Sequence, residues 1–354
     1  MHWKLFILPS AVLLLLGASV LSGPPKQPAS GPGGASYRHA AVQKSVYGEN
    51  ENQYWLFEPS DPVPRSAPLI IFLHGWGAVN PQAYGAWIEH LVRRGNIVVY
   101  PRYQTGRRYP PGKIAPNAAQ AVKNAIACLR NGRHVQPETD KTAVVGHSAG
   151  GQTAANLAVL AKSSGLPEPK AVMCVEPGKS WNKRELSRIP LLDLSLIPKD
   201  VLLLTVAGDK DNIASDVDAR RIIRESVHVP RRNKNFVLVV SDAHGRPSLT
   251  ADHFAPCAVS ESYDSAEKQD RKKPGIFSST AENELLEPVI ETRSNATVNA
   301  LDYYGFWKLF DGLCDAAFYE KDREYALGNT PEQRRMGKWS DGTPVKEMIV
   351  SDNP

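Results

Sequence analysis

The sequence predicts an α/β fold in which a mostly parallel central sheet carries helices on both faces. Three observations support this. Apolar runs of strand length (Pro68–His74, Asn96–Pro101, Thr142–His147, Lys170–Glu176, Val201–Ala207 and Phe236–Val240) alternate with stretches of helical character, as in βαβ units. These runs are continuously apolar, which suits strands covered on both sides. The run Thr142–Val145 enters Gly146-His147-Ser148-Ala149-Gly150, and an alanine- and leucine-rich segment follows, so strand, sharp turn and helix come in succession. At 354 residues, 42% hydrophobic and 22% charged, the chain can bury such a core.

Taken in order, residues 1–23 have the three-part form of a secretory signal peptide, or of a membrane anchor if retained. Lys4 precedes the apolar stretch Leu5–Leu21, and small residues Ser19, Ser22 and Gly23 close it. The expected location is secreted, periplasmic or otherwise extracytoplasmic, with a membrane tether through the N-terminus in the anchored case. Residues 24–40 are rich in proline and glycine and are expected to be a flexible linker. The domain then spans 41–354. Val42–Phe57 reads as a strand pair turning at Gly48-Glu49-Asn50.

The strand Pro68–His74 ends in Gly75-Trp76-Gly77. Helices are expected over Gln82–Arg93, Pro116–Arg130 and Asp216–Val227, with a basic, tyrosine-bearing loop from Arg102 to Lys113. The segment Pro177–Lys199 has no strong period. Between about 260 and 294 a polar insertion containing Arg271-Lys272-Lys273-Pro274 has the composition of disorder. Thr297–Tyr319 reads as a closing helix with a core face, and turns punctuate the tail beyond Glu320.

The net charge of +5 is spread over short groups such as Arg107-Arg108 and Arg231-Arg232 without interleaved aromatics, so no nucleic-acid partner is expected. Among four cysteines, Cys128 and Cys174 fall in a helix and a strand as small core residues, and Cys257 and Cys314 are the pair expected to bridge if any does. No pair has zinc-site spacing, so no metal is expected. Asn295-Ala296-Thr297 matches a glycosylation tripeptide that is common by chance.

Chemistry is concentrated at Ser148. Side chains at Gly146 or Gly150 would collide with the flanking strand and helix in so tight a turn, while the serine is held strained with its hydroxyl exposed, a nucleophile's placement. Parallel strands gather their carboxyl ends on one edge, and Ser148, Asp211 and His244 all follow strand ends. The His74-Gly75-Trp76 turn ahead of the serine is where acyl-transfer sites of this type place one oxyanion donor. The backbone N–H groups of Trp76 and Ala149 are therefore the expected pair. The His74 side chain itself reads as core.

On these residues, in the order serine, acid, histidine, the chain resembles the α/β-hydrolase superfamily from roughly Tyr54 to Phe318. Gly-His-Ser-Ala-Gly-Gly, Gly-Asp-Lys-Asp-Asn-Ile-Ala and the Ala-His loop look like the bacterial cutinase, polyester hydrolase and dienelactone-hydrolase-like branch. The resemblance implies an α/β-hydrolase fold and a serine esterase without cofactor, acting on a small-molecule or polymeric ester. It makes Asp211 the acid, at the second acidic position of Gly-Asp-x-Asp, with Asp209 in reserve, and His147 structural. Strand-end spacing favours His244 as base; His253 is the alternative, because His253-Phe254-Ala255-Pro256 also looks like a cutinase histidine loop. Trp181, Leu191, Leu192 and Leu194 either wall an acyl pocket or pack the core. A peptidase of the prolyl-oligopeptidase kind would share fold and triad but carry a long propeller region first, and a silent binding protein on this fold would be expected to have a broken triad. The oligomeric state is left open.

Overall fold

A computed structural model of the chain describes residues 22–105, 109–178, 189–265 and 296–354. The N-terminal apolar run, Arg107-Arg108, Trp181, Asn295 and most of the polar insertion therefore lie outside the described residues. Among the described residues nine strands form one sheet in the order β1-β2-β4-β3-β5-β6-β7-β8-β9. They are β1 Ala41–Tyr47, β2 Tyr54–Ser60, β3 Ser66–Leu73, β4 Ile97–Pro101, β5 Gln136–His147, β6 Ala171–Val175, β7 Leu202–Gly208, β8 Lys234–Val239 and β9 Ile349–Ser351. From β4 to β8 all neighbours are parallel. The antiparallel pairs are at the edges: β1 with β2, β2 with β4, and β9 on β8.

The continuous apolar runs become two-faced strands, as expected. In β3, Ile70 and Phe72 point to one layer with Trp87, Leu91 and the closing helix. Leu69, Ile71 and Leu73 point to the other, against Val122, Ala154 and Ile222. Helix α1 (Gly85–Arg93) and α5 (Trp307–Tyr319) form the first layer; α2 (Pro111–Leu129), α3 (Ala149–Leu160) and α4 (Val217–Glu225) form the second. This is the α/β-hydrolase architecture that the alternation of strands and helices predicts. Among the described residues no helix is long and apolar enough to cross a membrane.

Four expectations change. Helix α2 starts at Pro111 rather than Pro116: Pro111 is well suited to a first helical position, and the carbonyl that Pro116 faces belongs to Gly112 in the exposed first turn. The closing helix begins with a π-type turn, Leu301–Phe306. Cys257 and Cys314 are buried and free, as are the other two cysteines by bonding. The fourth concerns the Pro/Gly-rich stretch 24–40, which is tied to the domain along its length. The Gly33 amide donates to Asp311 at 2.7 Å, the Arg38 and His39 amides donate to the Arg93 carbonyl, and just ahead of the stretch Gly23 exchanges bonds with Ser340. A Cβ at Gly33 would lie 1.9 Å from the Tyr303 carbonyl oxygen, so glycine here permits a close backbone approach rather than looseness.

The tail also contributes more than turns. Beyond adding β9, it buries Trp339, whose indole N–H donates to Asp242 at 3.2 Å. The buried Lys308 ammonium of α5 donates to the carbonyls of Glu332, Gln333 and Arg335, fastening the tail to the closing helix.

Candidate active site

The end of β5 and the start of α3 leave no room for side chains. A Cβ on Gly146 would fall 2.1 Å from the Gly150 oxygen, and one on Gly150 would fall 2.1 Å from the Leu73 oxygen. Between them Ser148 is forced to φ +54°, ψ −120°, a conformation costly for any residue with a Cβ and retained only where the surroundings impose it. The hydroxyl projects from the carboxyl edge of the sheet, partly exposed.

The imidazole that meets it belongs to His253. Its Nε2 is 2.9 Å from Ser148 Oγ and its Nδ1 is 2.9 Å from Asp211 Oδ2. A carboxylate only accepts, so Nδ1 carries the proton and donates to Asp211, leaving the Nε2 lone pair to accept from the serine hydroxyl. Asp211 is itself oriented: its Oδ1 accepts from the amides of Ile213 at 2.9 Å and Ala214 at 2.8 Å. Burial pushes its pKa up, but the bonds from His253, Ala214 and Ile213 outweigh that, and the carboxyl is held below the ordinary range.

His244, the first expectation for this position, lies elsewhere. Its Nε2 pairs with Asp341 at 2.7 Å, with both side chains about two-fifths exposed, and its ring packs on Trp339. The reason is an excursion of the chain. Asp242 and Leu249 bridge one another, so the residues between them loop out and return beside the end of β8. Ala251 then docks: its amide donates to Ser241 Oγ and its carbonyl accepts from the Lys210 amide. Asp209, the reserve acid, belongs to this docking, since its Oδ1 accepts both the amide and the hydroxyl of Ser241. The loop therefore presents His253 to Asp211.

The Gly75–Gly77 turn is pinned on both sides of Trp76. The Gly75 amide donates to Tyr84 Oη at 3.0 Å and the Gly77 amide to Gln104 Oε1 at 3.0 Å. The amides of Trp76 and Ala149 donate to no acceptor among the described residues. His147 is fully buried, and its pKa falls to about 3 through burial and the neighbouring His253. It is neutral, with Nε2–H donating to the His253 carbonyl at 2.8 Å and Nδ1 accepting from the Tyr84 hydroxyl at 2.8 Å. One row of bonds thus runs from Gly75 through Tyr84 and His147 to the backbone of His253. His74 is a buried core residue, its pKa lowered to about 4 by burial, stacked on Tyr103.

Sequence reasoning missed three contributors. Tyr84 and Gln104 carry no local signal, because their roles depend on which turn they meet. Glu176 did carry one, as an acid at the end of β6. It is wholly buried, with neither carboxylate oxygen hydrogen-bonded among the described residues, 3.7 Å from His253 Nδ1 and 3.4 Å from His147 Nε2. Burial, reinforced by Asp211 and Asp252, raises its pKa well above the ordinary range, which favours the protonated, neutral form. His147, Glu176 and His253 together fit the spacing of metal ligands, but the two nitrogens nearest Glu176 are engaged, His147 Nε2 with a carbonyl and His253 Nδ1 with Asp211. Of the residues expected around an acyl pocket, Leu194 is core and Leu191 packs against the α2–α4 layer.

A family model described as chlorophyllase matches residues 53–195. Esterase LipI of Mycobacterium tuberculosis is 29% identical over 156 residues, which is 41% of this chain and 46% of that protein. The chain therefore spans about half the length of this curated relative. The matched family segment contains the Gly75–Gly77 turn, Ser148 and Glu176, and stops short of Asp211 and His253.

Proposed function

We propose that this chain, a member of the α/β-hydrolase superfamily, is a serine hydrolase that cleaves carboxylic esters through an acyl-enzyme. The observation that carries this reading is the continuous row Ser148 Oγ, His253 Nε2, His253 Nδ1, Asp211 Oδ2, with both contacts at 2.9 Å. The ester hydrolase named among its relatives supports the choice of bond.

In the proposed reaction Ser148 Oγ attacks the ester carbonyl while its proton passes to His253 Nε2. Asp211 stabilises the imidazolium and holds the ring so that Nε2 faces the serine. The oxyanion that develops on the carbonyl oxygen is taken by the two uncommitted amides, Trp76 and Ala149. Such donors cost no reorganisation because the Gly75–Gly77 turn is already fixed by Tyr84 and Gln104. Collapse expels the alkoxide, which leaves with the proton from His253. Water, deprotonated by the same nitrogen, then releases the acid and restores Ser148.

Hydrolysis of p-nitrophenyl esters from acetate to palmitate by the full chain tests this and reads the acyl preference. Activity abolished by Ser148→Ala and His253→Ala, and retained by His244→Ala, is the expected pattern. A folded wild type that cleaves none of the series, or one that depends on His244, overturns the reading.

A further inference from the structure

The chain holds a second row of nucleophile, imidazole and carboxylate, away from Ser148. Cys128 lies near the carboxyl end of α2, and its Sγ is 3.7 Å from His134 Nε2. On the other side of that ring, Nδ1 is 2.8 Å from Glu58 Oε1 on β2. The Glu58 side chain is 2% exposed and its second oxygen accepts from the Val135 amide at 2.8 Å, so it is oriented from both ends. Since a carboxylate only accepts, His134 donates from Nδ1 and presents the Nε2 lone pair to the thiol. The Tyr47 hydroxyl converges on the same nitrogen at 3.3 Å, and its ring meets the imidazole edge to face. Tyr54 stacks on Tyr47, and burial together with Cys128 raises its hydroxyl's pKa, so it is a neutral neighbour.

Exposure separates this cysteine from the rest. Cys174, Cys257 and Cys314 are buried, and burial pushes the Cys174 thiol up to about 12 and raises those of Cys257 and Cys314 as well. Cys128 alone among the four is partly exposed, and it alone faces a base backed by an acid. A nucleophile within reach of an imidazole that is oriented by a third group is the arrangement that activates sulfur.

We propose that Cys128 is a modification site, a thiol primed by His134 and Glu58 for exchange with low-molecular-weight disulfides. The S–H proton passes to His134 Nε2, the sulfur attacks one sulfur of RS–SR, the new S–S bond forms as the old one breaks, and RS⁻ leaves and takes the proton. The sum is Cys128–SH plus RSSR giving Cys128–S–SR plus RSH, with Cys128 oxidised and the departing sulfur reduced. The inference is independent of the proposed esterase.

The test uses an aromatic disulfide, 5,5′-dithiobis(2-nitrobenzoate), on the native full chain, following thionitrobenzoate release between pH 6 and 8. One fast equivalent is expected, lost in Cys128→Ser. His134→Gln should slow it roughly tenfold or more and Glu58→Gln several-fold. The slope of log rate against pH should also be steeper in His134→Gln than in the wild type, a change that a merely structural histidine would not cause. As a check that needs no variant, native Cys128 should react roughly tenfold faster per thiol at pH 6.5 than the same chain unfolded in guanidinium. Release that persists in Cys128→Ser, a rate and slope unchanged by His134→Gln, or a native thiol slower than the unfolded one overturns the proposal.

Discussion

Ser148 and Cys128 have the same kind of partners and very different seats. Both face an imidazole whose other nitrogen is held by a buried carboxylate, at 2.9 and 2.9 Å for serine and 3.7 and 2.8 Å for cysteine. Ser148, however, sits at φ +54° between strand and helix beside two amides that have no acceptor among the described residues, whereas Cys128 sits on the last turn of an ordinary helix. An imidazole and an acid can sharpen a nucleophile, but stabilising the charge of an acyl-transfer intermediate needs preorganised donors. The comparison fits the two proposals, ester cleavage at the strained turn and simple sulfur exchange at the helix.

The largest expected effect separates the two nucleophiles. Ser148→Ala should reduce kcat/KM on p-nitrophenyl acetate by roughly 10⁴-fold or more, while Cys128→Ser leaves it within about twofold. Comparable losses from both would erase the distinction. The two acids around His253 give the next contrast. Asp211→Asn should cost on the order of 10⁴-fold in kcat, because the amide would favour the wrong imidazole tautomer. Glu176→Gln should stay within roughly threefold, since glutamine reproduces a neutral carboxyl, and steady-state kinetics on the two variants would rank them.

The seat itself can be broken without touching the row. Gly150→Ala sets a methyl against the Leu73 carbonyl and should cost about 3 kcal/mol in urea unfolding, with activity falling as the turn shifts. A variant as stable as wild type would mean the turn is not crowded. The smallest effect is a pH dependence. With its pKa raised by burial, Glu176 keeps its proton to higher pH in the folded chain than in the unfolded chain, which releases it above about pH 4.3. Its stabilising contribution is therefore full below that pH and is lost as pH rises toward the folded pKa. Melting curves from pH 5 to 9 should show Glu176→Gln gaining on the wild type as pH increases; a constant difference would place the carboxylate in its charged form.

The strand and helix pattern was legible because continuous apolar runs such as Pro68–Leu73 can be satisfied only between two helical layers, and the serine turn because Gly146 and Gly150 are needed wherever backbones come within a Cβ's reach. Asp211, and Trp76 and Ala149 as the proposed oxyanion donors, were also named from sequence, since each follows closely on a strand end. The histidine was left between two candidates, His244 preferred and His253 the alternative. His244 and His253 differ only in whether residues 242 to 249 are counted as chain that advances or chain that loops back, and the bridge between Asp242 and Leu249 decides it. The same holds for residues 24–40, whose composition predicts freedom but whose neighbours, Asp311, Tyr303 and Arg93, come from distant parts of the chain. Cys128, His134 and Glu58 are likewise united only when β2 passes beside the end of α2. Local sequence governs what backbone geometry and burial a segment can accept. Which side chains face one another across long loops is set by tertiary packing, because those contacts depend on closures that no nearby residue encodes.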